Sequence, residues 1–183
     1  MPRYVALLRG INVGGKNMIK MEKLRETFAG LGFENVKTYI NSGNIAFDCR
    51  SPRVSKGLTP DAILAAKIRT AIKTDFGFDI STMVRSMDEM NNIVNNNPYV
   101  GKFDDDRYCH VFFLEKALTA EQESLLMEHA TNDEFITVHG NTVYNMLKIS
   151  ILDSALGKGF LDRKLKIVNT ARNWRTTKTL AEL

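Results

Sequence analysis

An α+β fold built from two similar halves is predicted by three observations. Apolar residues recur at intervals of three and four in several segments, the helical period, and short runs rich in β-branched and aromatic residues lie between them. In the first half these segments follow the order strand, helix, strand, strand, helix, strand, and a comparable order begins again near residue 107. That order is the ferredoxin-like βαββαβ plait. The expected architecture is therefore a tandem duplication of ferredoxin-like plaits with an added C-terminal helix. Residues 1–86 would form the first half, 87–106 a connecting helix and loop, and 107–183 the second half with its C-terminal helix.

Residues 4–8 are a continuous apolar run that fits a strand buried on both faces. In residues 21–31, Met21, Leu24, Phe28 and Leu31 share a helical face, and Gly30 and Gly32 end it. Residues 36–40 and 44–47 read as strands of a hairpin joined by the turn formers Asn41, Ser42 and Gly43. Residues 49–58 are polar and basic, a surface loop. Thr59, Pro60 and Asp61 then supply an N-cap, a first-turn proline and an early acid for a helix that buries Ile63, Leu64, Ile68, Ala71 and Ile72. A strand over 80–85 completes the first half. Ser86 and Glu89 have the spacing of a capping box for a connecting helix that stops before Pro98.

The second half begins with a strand over 108–114, and Thr119 with Gln122 forms another capping box for a helix through His129. Residues 135–138 pair with 143–147 across His139, Gly140 and Asn141. A helical pattern over 154–165 is weakened by Gly157 and Gly159, residues 166–169 read as a last short strand, and a helix over about 173–183 closes the chain.

The 183 residues, 44% hydrophobic, suffice for an ordinary core. The 25 basic residues against 21 acidic ones give a net charge of +4 and a pI of about 9.1. Such a mixed surface permits nucleic acid or an anionic ligand without demanding either. Cys49 and Cys109 are isolated and lack metal-ligand spacing, which argues against a disulfide framework or a zinc site. A reducing cytoplasm is expected. The early apolar run is too short for a signal peptide, and no segment approaches the ~20 apolar residues that span a bilayer, so no membrane partner is expected.

The segment most suited to a ligand runs from Arg9 through Gly10, Asn12, Gly14 and Gly15 to Lys16. Glycines let backbone N–H groups, here those of Gly14, Gly15 and Lys16, converge without Cβ interference, and the two cations favour a phosphate or carboxylate. The alternative is a connection whose glycines serve backbone geometry alone. Gly10 to Lys16 also fits Gly, four residues, Gly, Lys. A P-loop, however, requires Ser or Thr where Asn17 stands and leads directly into its helix, so nucleoside-triphosphatase chemistry is disfavoured. Asn41, Ser42 and Asn44 either aim amide and hydroxyl groups at the same ligand or simply make a tight turn. Thr170 or Asn173 fits an N-cap of the last helix, with Arg172 offering a bidentate grip on an anion. The competing reading makes Trp174, the only tryptophan, a buried anchor and pairs Arg172 with a carboxylate.

Other clusters carry less. Ser42 lacks a nucleophile elbow, and His110, His129 and His139 sit in separate elements, so there is no basis for a hydrolase and no catalytic residue is assigned. Asp104, Asp105 and Asp106 lack the spacing of a calcium loop and read as solvated charge. Tyr108, His110 and Phe112 alternate along one strand as base-stacking aromatics do, although core packing fits them better.

Three separated stretches, residues 7–15, 39–44 and 170–176, resemble in that order the motifs of a bacterial family catalogued as domain of unknown function 1697. The resemblance spans nearly the whole chain and implies a duplicated ferredoxin-like arrangement, but it brings no established activity, substrate or catalytic residue. Many relatives in that family carry Asn where this chain has Arg175, and the extra cation either alters ligand preference or merely decorates the helix surface. The function expected is binding of an anionic small molecule or nucleotide in the cytoplasm. The alternatives are a nucleic-acid-binding module and a protein-interaction or structural role, with the cofactor and oligomeric state unassigned.

Overall fold

The computed structural model describes all residues except 54–56, so part of the basic loop expected over 49–58 lies outside the described residues. Among the described residues are two four-stranded antiparallel sheets and six α-helices. They divide into two compact units, Met1–Asn92 with Leu180–Leu183, and Ile93–Thr179.

The first unit holds β1 (Arg3–Leu8), α1 (Met21–Gly30), β2 (Glu34–Tyr39), β3 (Asn44–Asp48), α2 (Pro60–Phe76) and β4 (Thr82–Ser86), and α3 (Met87–Asn95) begins at its end. Its sheet has the order β2-β3-β1-β4. The apolar run of β1 becomes a central strand, with Val5, Ala6, Leu7 and Leu8 wholly buried. On the helix-covered face, Phe33 stacks on Phe47 with centroids 4.4 Å apart and Phe28 meets Phe47 edge-on at 5.4 Å. Helix signals act as the sequence suggested. Thr59 Oγ1 accepts the Ala62 N–H, and Ser86 and Glu89 exchange the reciprocal bonds of a capping box that opens α3.

The second unit holds a 3₁₀ turn (Asp106–Tyr108), β5 (Cys109–Leu114), α4 (Ala120–His129), β6 (Glu134–His139), β7 (Thr142–Leu147), α5 (Phe160–Arg163) and β8 (Asn169–Asn173), and α6 (Trp174–Ala181) begins at its end. Its sheet order, β6-β7-β5-β8, matches that of the first unit. The helix-covered core gathers Phe112, Leu114, Leu126, Val143, Phe160 and Leu161. The Thr119–Gln122 capping box forms as expected.

Three expectations change. The helical pattern over 154–165 yields only the short α5. Ser154 Oγ bonds Ile151 O and Gly157 N, Gly159 adopts a φ of 81°, and a Cβ on Gly157 would overlap the Ile151 carbonyl, so turns replace the helix. The last strand is Asn169–Asn173, not 166–169, because Lys166 takes a φ of 57° and breaks the extended run. Tyr108 lies in the 3₁₀ turn and is exposed, outside the strand that Phe112 anchors.

Gly43 is fixed by sterics. Its φ is 80°, and an added Cβ would lie 2.7 Å from Leu8 Cβ. Gly10 also has a positive φ, 64°, but faces open space. Gly43→Ala is expected to lower stability by about 2 kcal/mol or more and Gly10→Ala by about 1 kcal/mol. Denaturant unfolding of the two variants checks the ranking, and equal losses would contradict the close approach at Gly43.

Candidate functional site

The glycine-rich segment folds into a braced loop between β1 and α1. Gly14 and Gly15, at φ of 57° and 73°, form the tip of a tight turn closed by the Lys16 N–H to Val13 O at 3.0 Å. Positive φ at both central residues is the type I′ pattern of hairpin turns. The base is held by Asn12, whose backbone donates to Asn17 O and whose φ is 55°. Its side-chain Nδ2 donates to Ile19 O at 3.0 Å while its Oδ1 accepts the Ile19 N–H at 2.8 Å. Asn17 adds a bond from Nδ2 to Gly10 O. The Lys16 amide is therefore engaged inside the turn, which corrects the cradle of three amides expected from the sequence. Asn12 acts as a strut.

The second motif comes to the same place. Asn12 Nδ2 also donates to Asn41 O at 2.8 Å, and the Leu8 N–H donates to Gly43 O at 2.8 Å. Asn44, wholly buried, uses its Nδ2 to hold Tyr39 O and Ser42 Oγ, so its amide shapes the turn from within. Ile40 has a φ of 47° and is 52% exposed. For a β-branched residue that backbone is strained by roughly 1–2 kcal/mol, and here the strain directs an apolar side chain to solvent. Val13 and Met18 on the loop are exposed as well. Loop and turn thus carry three exposed apolar side chains together with Lys16, while Arg9 sits half-buried at the loop base with its N–H on Ser81 O.

The third motif lies in the second unit, and most of it is strand. Thr170 and Arg172 belong to β8 and are buried. Arg172 Nη1 donates to Thr170 Oγ1 and Ala171 O, both at 2.8 Å, and burial pushes the guanidinium pKa down to about 10. Asn173 Oδ1 accepts the Thr176 N–H at 2.9 Å, so it caps α6 as expected. Trp174 is the buried anchor anticipated for a lone tryptophan.

A cluster missed in the sequence lies in the first unit. Asp61 in the first turn of α2 and Glu89 in that of α3 are hydrogen-bonded to each other, near buried Arg85 of β4. Burial, reinforced by the hydrogen bond and charge of Glu89, pushes the Asp61 carboxyl up to about 7, against the pull of Arg85. Burial also pushes Glu89 up, but the bonds from Asp61 and Ser86 and the charge of Arg85 outweigh it and hold Glu89 below its usual range. The pair therefore shares one proton, carried by Asp61, and can release it near neutral pH. In the sequence both acids read only as helix-start signals; the one hint was a lone Arg85 inside an apolar strand. Among the described residues no three His, Cys, Asp or Glu side chains gather to hold a metal ion, and no helix is long and apolar enough to cross a membrane.

Comparison with known proteins places this geometry. The model of a family described as protein of unknown function, DUF1697, matches residues 1–144. The chain belongs to the DUF1697 family. A solved structure, that of conserved bacterial protein SP0830 from Streptococcus pneumoniae, is 30% identical, with a TM-score of 0.73 over 99% of this chain and 97% of that one. No curated protein matches the chain.

Arg175 lies beyond the residues matched by the family model, and its contacts are local. Its Nε lies 3.9 Å from Asp106 Oδ2, which Lys178 Nζ approaches to 3.2 Å, while Asp105 caps the 3₁₀ turn and pairs with Arg107. At 74% side-chain exposure the Arg175 contact adds little to stability.

The Asp61–Glu89 pair makes stability depend on pH. Because the folded Asp61 pKa, about 7, exceeds the unfolded value of ~3.9, the folded state retains a proton that the unfolded chain has lost. Stability from this group therefore falls as pH rises through that window. Asp61→Asn still donates to Glu89 but does not titrate. Its stability relative to the parent is expected to grow between about pH 4 and 7 and to level above, as read from denaturant midpoints across pH. A difference independent of pH would contradict the shared proton.

Proposed function

We propose that this protein binds a phosphate- or carboxylate-bearing small molecule or nucleotide on the braced loop of its first unit, in a bacterial cytoplasm. The observation that carries the reading is the bond from Asn12 Nδ2 to Asn41 O, which keeps the cationic loop and the Asn41, Ser42 turn side by side. Residues 9–21 include Arg9, Lys16 and Lys20 and no acid, so the loop attracts anions over its whole length. Exposed Val13, Met18 and Ile40 favour an organic anion with a ring or chain over a bare inorganic one. Arg172, buried and bonded within β8, supports its own strand in this reading.

Each unit fits a ferredoxin-like plait, and the chain fits a tandem duplication with halves at 1–86 and 107–183 joined by 87–106. The repeated strand order supports this, as do matching bonds at the strand ends: Leu8 N–H to Gly43 O and Arg9 N–H to Ser81 O in one, Leu114 N–H to Asn141 O and Glu115 N–H to Val168 O in the other.

Titration calorimetry with ATP, citrate and inorganic phosphate tests the binding reading. Lys16→Ala and Arg9→Ala are each expected to weaken the organic anions about fivefold or more, a loss of about 1 kcal/mol, with Lys16→Ala leaving the melting temperature nearly unchanged. Equal binding by parent and variants, or none by the parent, would remove the proposal. Binding of single-stranded RNA that weakens steeply with salt, without binding of ATP, would replace it by the nucleic-acid reading.

A further inference from the structure

The two units fill the same rung of their sheets in opposite ways. In the first, Tyr4 of β1 stands opposite Phe47 of β3 and Ser86 of β4. Tyr4 stacks on Phe47 with centroids 5.9 Å apart, and its hydroxyl meets Ser51 Oγ at 2.9 Å. Counting back from the matching strand-end bonds, His110 holds the position of Tyr4, Asn145 that of Phe47 and Asn173 that of Ser86. An aromatic rung in one unit is a polar rung in the other.

This rung lies on the helix-covered face of the second sheet. Phe112 and Val143, opposite each other one rung along, belong to the apolar core. Asn145 is wholly buried, yet neither its Nδ2 nor its Oδ1 has a hydrogen-bond partner in the protein. His110 Nδ1 and Glu134 Oε1 share that condition. Among the described residues these are the partnerless buried side-chain atoms of the second unit, and all belong to one face. Glu134 lies two residues along β6 from Ile136, which stands opposite Asn145. Its Oε2 is occupied by the N–H groups of Thr131 and Ala155 at 3.2 and 3.0 Å. Directly opposite Cβ atoms are about 5 Å apart and diagonal neighbours about 7–8 Å, distances that one small molecule can bridge.

We propose that His110, Asn145 and Glu134 enclose a buried water site in the second unit. The donor and acceptor inventory selects this guest. Asn145 Oδ1 and Glu134 Oε1 accept, Asn145 Nδ2 donates, and a neutral His110 Nδ1 takes either role. The guest must give two hydrogens and accept at least one, which is the usual pattern of about three bonds made by buried water. A cation would face the Nδ2 donor, and an anion would face the Glu134 carboxylate. Burial pushes the His110 pKa down to about 4, so the ring stays neutral and keeps its versatile nitrogen. The aromatic rung of the first unit shows that the fold does not need polar side chains here, so their presence in the second unit is a property of this site.

The test is a high-resolution crystal structure of the full chain. The expected result is an ordered water within hydrogen-bond distance of the Asn145 amide and Glu134 Oε1. Density in which these side chains bond one another directly, with no solvent peak between them, would overturn the proposal. As a second readout, Asn145→Leu keeps the branching and the number of heavy atoms but offers no bonds. It is expected to lower the melting temperature, because the water loses two of its partners and Glu134 and His110 lose theirs; a rise, as for deletion of a dry orphaned amide, would overturn the site.

Discussion

Burial of a strand between two neighbours is the constraint from which the rest of this molecule follows. When β1 sinks to the middle of its sheet, every N–H and C=O along it must find a partner in the adjacent strands. The requirement does not stop where the regular ladder stops. The Leu8 and Arg9 amides are met by Gly43 and Ser81 carbonyls. That pairing draws the Asn41 to Gly43 turn against Leu8 so closely that no side chain fits at Gly43. The glycine is thus a consequence of how deeply β1 is buried, and the closeness of turn and loop is a consequence of the glycine.

The same constraint shapes the candidate site. Because the chain must leave a buried strand and reach α1 over residues 9–20, it crosses exposed territory with many backbone groups to satisfy. Asn12 and Asn17 satisfy them locally, in left-handed conformations that these short polar side chains tolerate. A loop braced in this way loses little further freedom when a ligand arrives, which favours recognition. The strained backbone at Ile40 belongs to the same arrangement: the residue keeps a left-handed conformation in the turn while its apolar side chain faces water.

What was legible in the sequence was local. Capping boxes at Ser86 and Thr119, the N-cap at Thr59 and the hairpin turns are written in residues three or four apart, and they form where that spacing placed them. Two kinds of feature were hidden. The strand Asn169–Asn173 carries Arg and Asn at buried positions, and polarity argues against such a strand until local bonds to Thr170 and Ala171 are known. The turn Val13 to Lys16 looked like an anion cradle because glycines alone do not reveal whether their neighbours' amides point outward or close on the turn itself. Sites assembled from distant positions were hidden altogether. Asp61 and Glu89 meet only because the fold of the first unit brings the first turns of α2 and α3 together, and the His110–Asn145 rung exists only once a register is set.

The repeated strand order gives these hidden features a common logic. A position that both units share is under the same geometric demand, so a difference in residue type there reflects something other than the fold. Tyr4 and Phe47 satisfy the demand with stacked rings, whereas His110 and Asn145 bring hydrogen-bonding groups into an otherwise apolar face, a burial that carries a desolvation cost apolar residues would avoid. Val5 and Val111, opposite the buried Arg85 and Arg172, make the converse point. Both units keep an arginine at the corresponding position of their edge strand, and in both one guanidinium nitrogen bonds the carbonyl of the preceding residue. A buried cation held the same way twice is a demand of the architecture, and the polar rung held once is not. On that reasoning the arginines belong to the scaffold, and chemistry particular to one unit is to be sought where the two halves disagree.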